Sequence, residues 1–394
     1  MDTLAHVINT CLGTGIISMP AAIEVSGLKI GVISTVIVSI ICTLASYILK
    51  IHRKYTKTRR SFAEIIEEAY RRRPKWLRPF AKPIRHTTPI TFFSIYFIIC
   101  SCFDVIIAQN IKNIFIQYLK FPIRDVILII PFIVLAMLPT LKLLPFISIV
   151  GNTCMCMGLV IILYYILTDI QWTNKRSFYG DFSNLPMSMT ITIIALEAVG
   201  VFMPLQNYVD NCHQFTDICG AIPGMCGASL FYIILGFFGY INPRKKVNEP
   251  LNDNLPGDIS IVLAINTLIA FACFCTFSLQ FYMCMNVAWI RLKHKCPKQE
   301  TLYQYGLRSI MTIMCIVIAI ILPTILPYIN LIGALLIPIF GLLLPGTVEL
   351  ITQDSFKTLN WKKLKDIISL ILGTAVLIFG SKSAIFDIIA LYSN

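Results

Sequence analysis

The chain has 394 residues, of which 57% are hydrophobic and only 13% charged. A soluble protein of that length would form roughly two or three domains, and their surfaces would need far more charge than this composition supplies. The formal net charge of +13 does not point to nucleic acid, because the basic residues gather in the segments facing one leaflet, where anionic lipid is the nearer counter-charge.

Apolar runs long enough to span a bilayer, about 20 residues each, cover 4–26, 28–50, 87–118, 125–138, 144–170, 187–207, 220–241, 259–290, 308–326, 328–350 and 364–389. They predict an all-α integral membrane protein of eleven transmembrane helices. The first run lacks a basic segment before it and carries Gly and Pro where a secretory signal has a clean apolar core, so a retained helix is expected. The run 125–138 is short, and 87–118 must tilt or extend beyond the bilayer.

Between the second and third runs lie Arg53, Lys54, Lys57, Arg59, Arg60, Arg71, Arg72, Arg73, Lys75, Arg78, Lys82 and Arg85. Cytoplasmic loops collect Lys and Arg, so this loop is expected inside. The other inside segments then carry Lys142, the group Arg291, Lys293, Lys295, Lys298 and Arg308, and the group Lys357, Lys362, Lys363 and Lys365. The outside segments hold fewer: Lys29, Lys120, Arg124, Lys175, Arg176, Arg244, Lys245, Lys246 and Lys382. The N-terminus is expected in the cytoplasm and the C-terminus outside or in a lumen. Within the basic loop 51–86, Ser61 to Tyr70 reads as an amphipathic helix: Ser61 is its N-cap, Glu64 completes a capping box, and Phe62, Ile65, Ile66 and Ala69 share one face.

All 14 cysteines fall in the apolar runs or inside segments, which predicts free thiols rather than a disulfide framework. The pairs Cys154/Cys156 and Cys273/Cys275 read better as packing residues than as a metal site. The outside segments offer no N-x-[ST] acceptor.

The first run contains Gly13-Thr14-Gly15-Ile16-Ile17-Ser18-Met19-Pro20, and the sixth echoes it as Gly200-Val201-Phe202-Met203-Pro204. Small residues at matching places in two halves mark a five-plus-five inverted repeat whose first helices are broken near the midplane. The second half is inverted because each half has an odd number of spans, and the eleventh helix is an appendage. Where the first helix unwinds, N–H groups at Gly13–Ile16 offer partial positive charge to a carboxylate, and carbonyls of the sixth helix at Leu196, Glu197, Ala198 and Val199 suit an ammonium group. Glycine lets a ligand approach the backbone. A single Gly-x-Gly would read as close helix packing; the paired breaks favour a transport site. A nucleotide loop is excluded, since neither a preceding strand nor a following Lys-Ser/Thr is present.

The residues "TLAHVINTCLGTGIISMPAAIEVSGLKIG", "SFAEIIEEAY", "AQNIKNI", "LEAVGVFMPLQN", "FSLQFYM" and "LLLPGTVELI" resemble the amino acid/auxin permeases over nearly the whole chain. The similarity is greatest to the proton-coupled amino acid transporter branch, including its insect "pathetic"-like members. The resemblance implies a leucine-transporter-like fold and proton-coupled symport of small neutral amino acids at a plasma or endolysosomal membrane, with no cofactor and no resident metal. The expected substrate contacts at the two breaks are Thr10, Gly13, Thr14, Gly15, Ile16, Leu196, Glu197, Ala198, Val199 and Gly200, and the resemblance implies the proton on His6 or Glu197. The family's Glu-Gly-x-Gly pattern is broken by Ala198, and Leu196 replaces its usual aromatic, so the pocket's shape is expected to differ. The chain starts almost at the first span, and the family's outside cysteine pair is missing.

Asp104, near the middle of the third run, falls outside the family pattern and reads either as a further proton or ammonium site or as a local hydrogen-bonding group. Tyr164, Ser278, Gln280 and Asn286 are candidates for cavity contacts or for helix packing. Two other readings remain open at this point, a sodium-coupled symporter of the same fold and an amino acid sensor that does not transport. No nucleophile–base set or metal-ligand spacing suggests an enzyme.

Overall fold

The computed structural model describes residues 15–16, 19–56, 62–72, 78–114, 123–137, 144–168, 180, 185–196, 221–241, 259–293, 300–321, 326–352 and 361–393. All the described elements are helical. After a 3₁₀ turn at Gly15–Ile16 come α1 (Met19–Ser26), α2 (Leu28–Thr56), α3 (Phe62–Arg72), α4 (Arg78–Ile114), α5 (Ile123–Ala136), α6 (Leu144–Thr168) and α7 (Leu185–Leu196). The second half holds α8 (Ala221–Ile241), α9 (Ile259–Leu292), α10 (Glu300–Ile321), α11 (Leu326–Ile337), α12 (Leu344–Thr352), α13 (Trp361–Ala375) and α14 (Ser381–Ser393). Wider π-helical turns, Pro338–Leu343 and Val376–Gly380, join α11 to α12 and α13 to α14.

Among the described residues seven helices are long and apolar enough to cross a membrane. Their outer faces carry bare apolar side chains, including Phe146, Val160, Ile310, Ile321 and Ile371, each more than half exposed. A surface this apolar requires lipid rather than water around it, and the chain is an integral membrane protein. As expected of the run 87–118, its helix is too long for the bilayer: the 37 residues of α4 extend about 55 Å at 1.5 Å per residue.

Packing sorts most of the helices into two groups. In one, α1 lies against α2, α7 and α8, while α2 also meets α7 and α8. In the other, α4 lies against α9, α10 and α5, and α9 meets α5 and α6. Each group therefore combines helices from the first part of the chain with helices from the second.

The amphipathic helix is present as α3, with Ala63, Ile65, Ile66, Ala69 and Tyr70 buried; Ser61 lies outside the described residues. It packs on α4 and α12, the Tyr70 hydroxyl lying 3.4 Å from that of Thr347. Glu67 anchors it, ion-paired to Arg71 at 2.6 Å and to Arg85 at 2.7 Å. At the same end Arg291 donates to the His86 carbonyl (2.7 Å) and Lys293 pairs with Glu300 (3.3 Å). The basic residues Arg71, Arg85, Arg291 and Lys293 thus share one end of the molecule.

One expectation needs correction. Arg308 is not a loop charge: it is buried within α10, and its Nη1 donates to the Ala136 carbonyl at 2.6 Å, a cation capping the C-terminus of α5. The last helical segment packs into the bundle, with Gly380 pressed against the Thr190 hydroxyl of α7 and α14 along α11.

Candidate functional site

The first run is not one continuous α-helix. Gly15 and Ile16 form the 3₁₀ turn, and α1 opens on Met19 with Pro20 in its first turn. Proline suits that place, since an N–H there has no intrahelical acceptor and its φ is already helical. Pro20 is therefore compatible with the first turn of α1, and Gly15 and Ile16 precede it in a 3₁₀ turn; of the expected N–H donors, Gly13 and Thr14 lie outside the described residues.

Gly15 lies on the backbone of α7. A Cβ at this position would sit 2.6 Å from both Cα and Cβ of Ala195 and 3.5 Å from its carbonyl carbon, so only glycine fits without displacement of α7. Ile16, Met19, Ala22 and Ile23 are wholly buried, and Leu196 is nearly so. The outer end of α1 is held as well. Gly27 adopts φ 81°, the left-handed conformation that ends a helix, the Gly180 N–H donates to the Ser26 carbonyl at 3.2 Å, and the Ser26 hydroxyl donates to that of Ser188 at 3.1 Å.

The Tyr232 hydroxyl of α8, fully buried, donates to the Ala195 carbonyl at 2.9 Å. That bond occupies a carbonyl in the last turn of α7, beside the positions expected to receive an ammonium group. On the same helix a Cβ at Gly236 would fall 2.7 Å from Ile23 Cδ1, so α8 closes tightly over α1. Removing the Tyr232 hydroxyl leaves a buried acceptor unpaired, a loss of about 1 kcal/mol or more. Tyr232→Phe is expected to weaken substrate affinity about fivefold, measured by competition binding to purified protein.

Of the sequence candidates, Gly15, Ile16 and Leu196 come together here. His6, Thr10, Gly13, Thr14, Glu197, Ala198, Val199 and Gly200 lie outside the described residues. Asp104 is 4% exposed in α4, with Cys100 and Cys102 of its own helix and Cys315 of α10 in range of its charge. Tyr164 is 62% exposed on the lipid side of α6 and is no cavity residue. The Ser278 hydroxyl donates back to the Cys275 carbonyl at 2.6 Å, whereas Gln280 is buried in α9. The described cysteines are free thiols.

Residues 1–386 match the family model described as transmembrane amino acid transporter protein. The chain belongs to that family. It is 38% identical, over its whole length and 86% of the relative's, to the proton-coupled amino acid transporter-like protein pathetic of Drosophila melanogaster. It is 19% identical to the amino acid transporter ANT1 of Arabidopsis thaliana, over 98% of this chain and 92% of that one. Among solved structures it resembles the Eremococcus coleocola manganese transporter, with a TM-score of 0.60 at 12% identity over 98% of this chain and 86% of that chain. A Na+-coupled sialic acid symporter gives 0.58 at 13% identity, over 98% and 89%. MhsT in complex with L-phenylalanine gives 0.55 at 14% identity, over 96% and 98%. The fold of this family member is accordingly the leucine-transporter-like one expected from its sequence.

Proposed function

We propose that this transporter carries small neutral amino acids together with protons, and that its substrate lies where the turn at Gly15 meets the end of α7. The contact of Gly15 with Ala195 carries the reading, since it joins the two sequence motifs expected to bind opposite ends of a zwitterion. Residues 4–170 and 187–350 would be the two repeats, and 364–389 a further helix, in one transport domain. The end shared by Arg71, Arg85, Arg291 and Lys293 supports a cytoplasmic placement of that end, hence a cytoplasmic N-terminus and an extracellular or lumenal C-terminus, in a plasma or endolysosomal membrane. The name of the Drosophila relative supports protons as the coupling ion.

Reconstituted protein tests this directly. A counterflow screen is expected to select a small neutral amino acid, and an inward proton gradient without sodium to drive its accumulation. Accumulation that requires sodium would replace the proton in this scheme, and saturable binding without uptake would make the protein a sensor.

Asp104 is assigned to the α4–α10 contact, on the strength of its thiol neighbours from those two helices. Asp104→Asn keeps the size of the side chain and removes a charge that costs about 2.5–3.5 kcal/mol at midplane depth. The variant is expected to keep gradient-driven uptake within about twofold of the parent, a change of under 1 kcal/mol. Loss of driven uptake with intact folding and counterflow would instead place Asp104 in proton handling.

A further inference from the structure

One row of α4 runs Arg78, Lys82, His86 and Ile90, residues four apart that stand on one side of a helix. All four are exposed, Ile90 by 54%, whereas Ala81 and Thr88, on the other side, are buried. The row extends about 18 Å at 1.5 Å per residue and turns from cationic to apolar as α4 enters its apolar stretch. The neighbouring helix α9 adds to the same surface. Arg291 Nη2 donates to the His86 carbonyl at 2.7 Å, and the Cys284 thiol approaches the Phe93 carbonyl at 3.8 Å. The two helices therefore run antiparallel, with the Arg291 guanidinium beside the cationic part of the row. Ile290, next to it in sequence, is 61% exposed.

The carboxylates nearby are engaged elsewhere. Glu67 accepts from Arg71 and Arg85, and Glu300 faces Lys293; Glu64 and Glu68 line a polar cavity together with Glu67, Arg71 and Arg85. Among the described residues no carboxylate pairs with Arg78, Lys82 or Arg291, and Arg291 spends one N–H on a carbonyl. Water alone would satisfy these cations, but Ile90 and Ile290 are bare at the adjoining level and require hydrocarbon. Cationic side chains at the rim of an apolar surface hold their charges in the headgroup layer. A ligand with an anionic head and apolar tails complements both parts of the surface at once.

We propose that this surface binds an anionic phospholipid of the leaflet at the basic end. Lys82 and Arg291 hold the phosphate, Arg78 meets the outer part of the headgroup, and an acyl chain lies along Ile90 and Ile290. Because Arg291 is fixed on the His86 carbonyl, the lipid joins the basic ends of α4 and α9, two helices packed along much of their length. The site is independent of the ion that drives transport and of which compartment the basic end faces.

Native mass spectrometry of the full-length protein, titrated in neutral detergent with phosphatidylserine or phosphatidylcholine, gives the dissociation constant of the first lipid bound. Phosphatidylserine is expected to bind about tenfold tighter or more. Lys82→Gln should weaken it about fivefold, and Lys82→Gln with Arg291→Gln should reduce it to the phosphatidylcholine level. Lys382→Gln removes a cation held over the Phe386 ring of α14 and should leave the preference unchanged. Lys82→Gln with Arg78→Gln alters only exposed side chains, so it should fold, by melting temperature, and lose most of the preference even if the Arg291 variant is unstable. An excess of inorganic phosphate should not displace the lipid. Equal affinity of the parent for the two lipids, an undiminished preference in the folded double variants, or displacement by inorganic phosphate would overturn the proposal.

Discussion

Gly15→Leu is expected to abolish substrate binding and transport, and Gly15→Ala to reduce transport at least tenfold. The first methyl group already has nowhere to go, since the Cβ of alanine would stand 2.6 Å from Ala195 Cα and from its Cβ. One of those atoms belongs to the backbone, so no rotamer change relieves the overlap; α7 has to move away from the turn. A shift of that kind separates the groups proposed to hold the two ends of the substrate, and misplacement by about 1 Å can cost a hundredfold. Ala195→Gly deletes only one of the two offending atoms. The double variant Gly15→Ala with Ala195→Gly is therefore expected to remain close to Gly15→Ala rather than to the parent. Binding by scintillation proximity and counterflow in vesicles check this, with surface delivery and melting temperature measured alongside. Normal uptake by Gly15→Ala would detach the turn from the transport site.

The membrane makes part of this architecture plain in the sequence and hides the rest. Each span must be an apolar stretch of nearly fixed length, so the runs at 28–50, 144–170, 220–241 and 259–290 correspond closely to α2, α6, α8 and α9. The buried face of α3 follows from ordinary amphipathic spacing beside water. Of the paired small-residue motifs the structure describes Gly15, which it brings to Ala195, two residues before Glu197 in sequence, while 197–220 lie outside the described residues.

What the sequence concealed is which side of an apolar helix faces protein. In α6, Tyr164 and Asn152 stand among apolar residues that mark no preferred face, and Tyr164 turns to lipid. Tyr232 gave no signal either, since its acceptor, the Ala195 carbonyl, belongs to the backbone of another helix. Arg308 was misplaced because an arginine near the end of an apolar run counts as a loop charge until a helix terminus such as that of α5 is found to receive it. The π-helical turns that bring the last segment against α7 involve no distinctive residue except Pro338.

Glu197→Gln is the variant expected to separate binding from energy coupling. In sequence it directly follows Leu196, the last residue of α7, whose preceding turn touches Gly15. An ionised carboxylate near the midplane of a bilayer costs about 2.5–3.5 kcal/mol on insertion scales. Under the proposed coupling, a proton taken from the outer side would remove that cost and favour the closed, substrate-loaded protein, and its release to the other side would restore the charge and reopen the site. The two fluxes would then be linked because each ligand favours the same closed state. Glutamine imitates the protonated carboxyl at every pH. Its variant should bind substrate and exchange it across the membrane at rates near those of the parent, with little dependence on outside pH. It should fail to concentrate substrate when a proton gradient is imposed, because no proton crosses with the substrate. Counterflow and gradient-driven uptake in the same vesicles make the comparison. Concentrative uptake by Glu197→Gln would show that the proton travels elsewhere, with His6 the next group to replace.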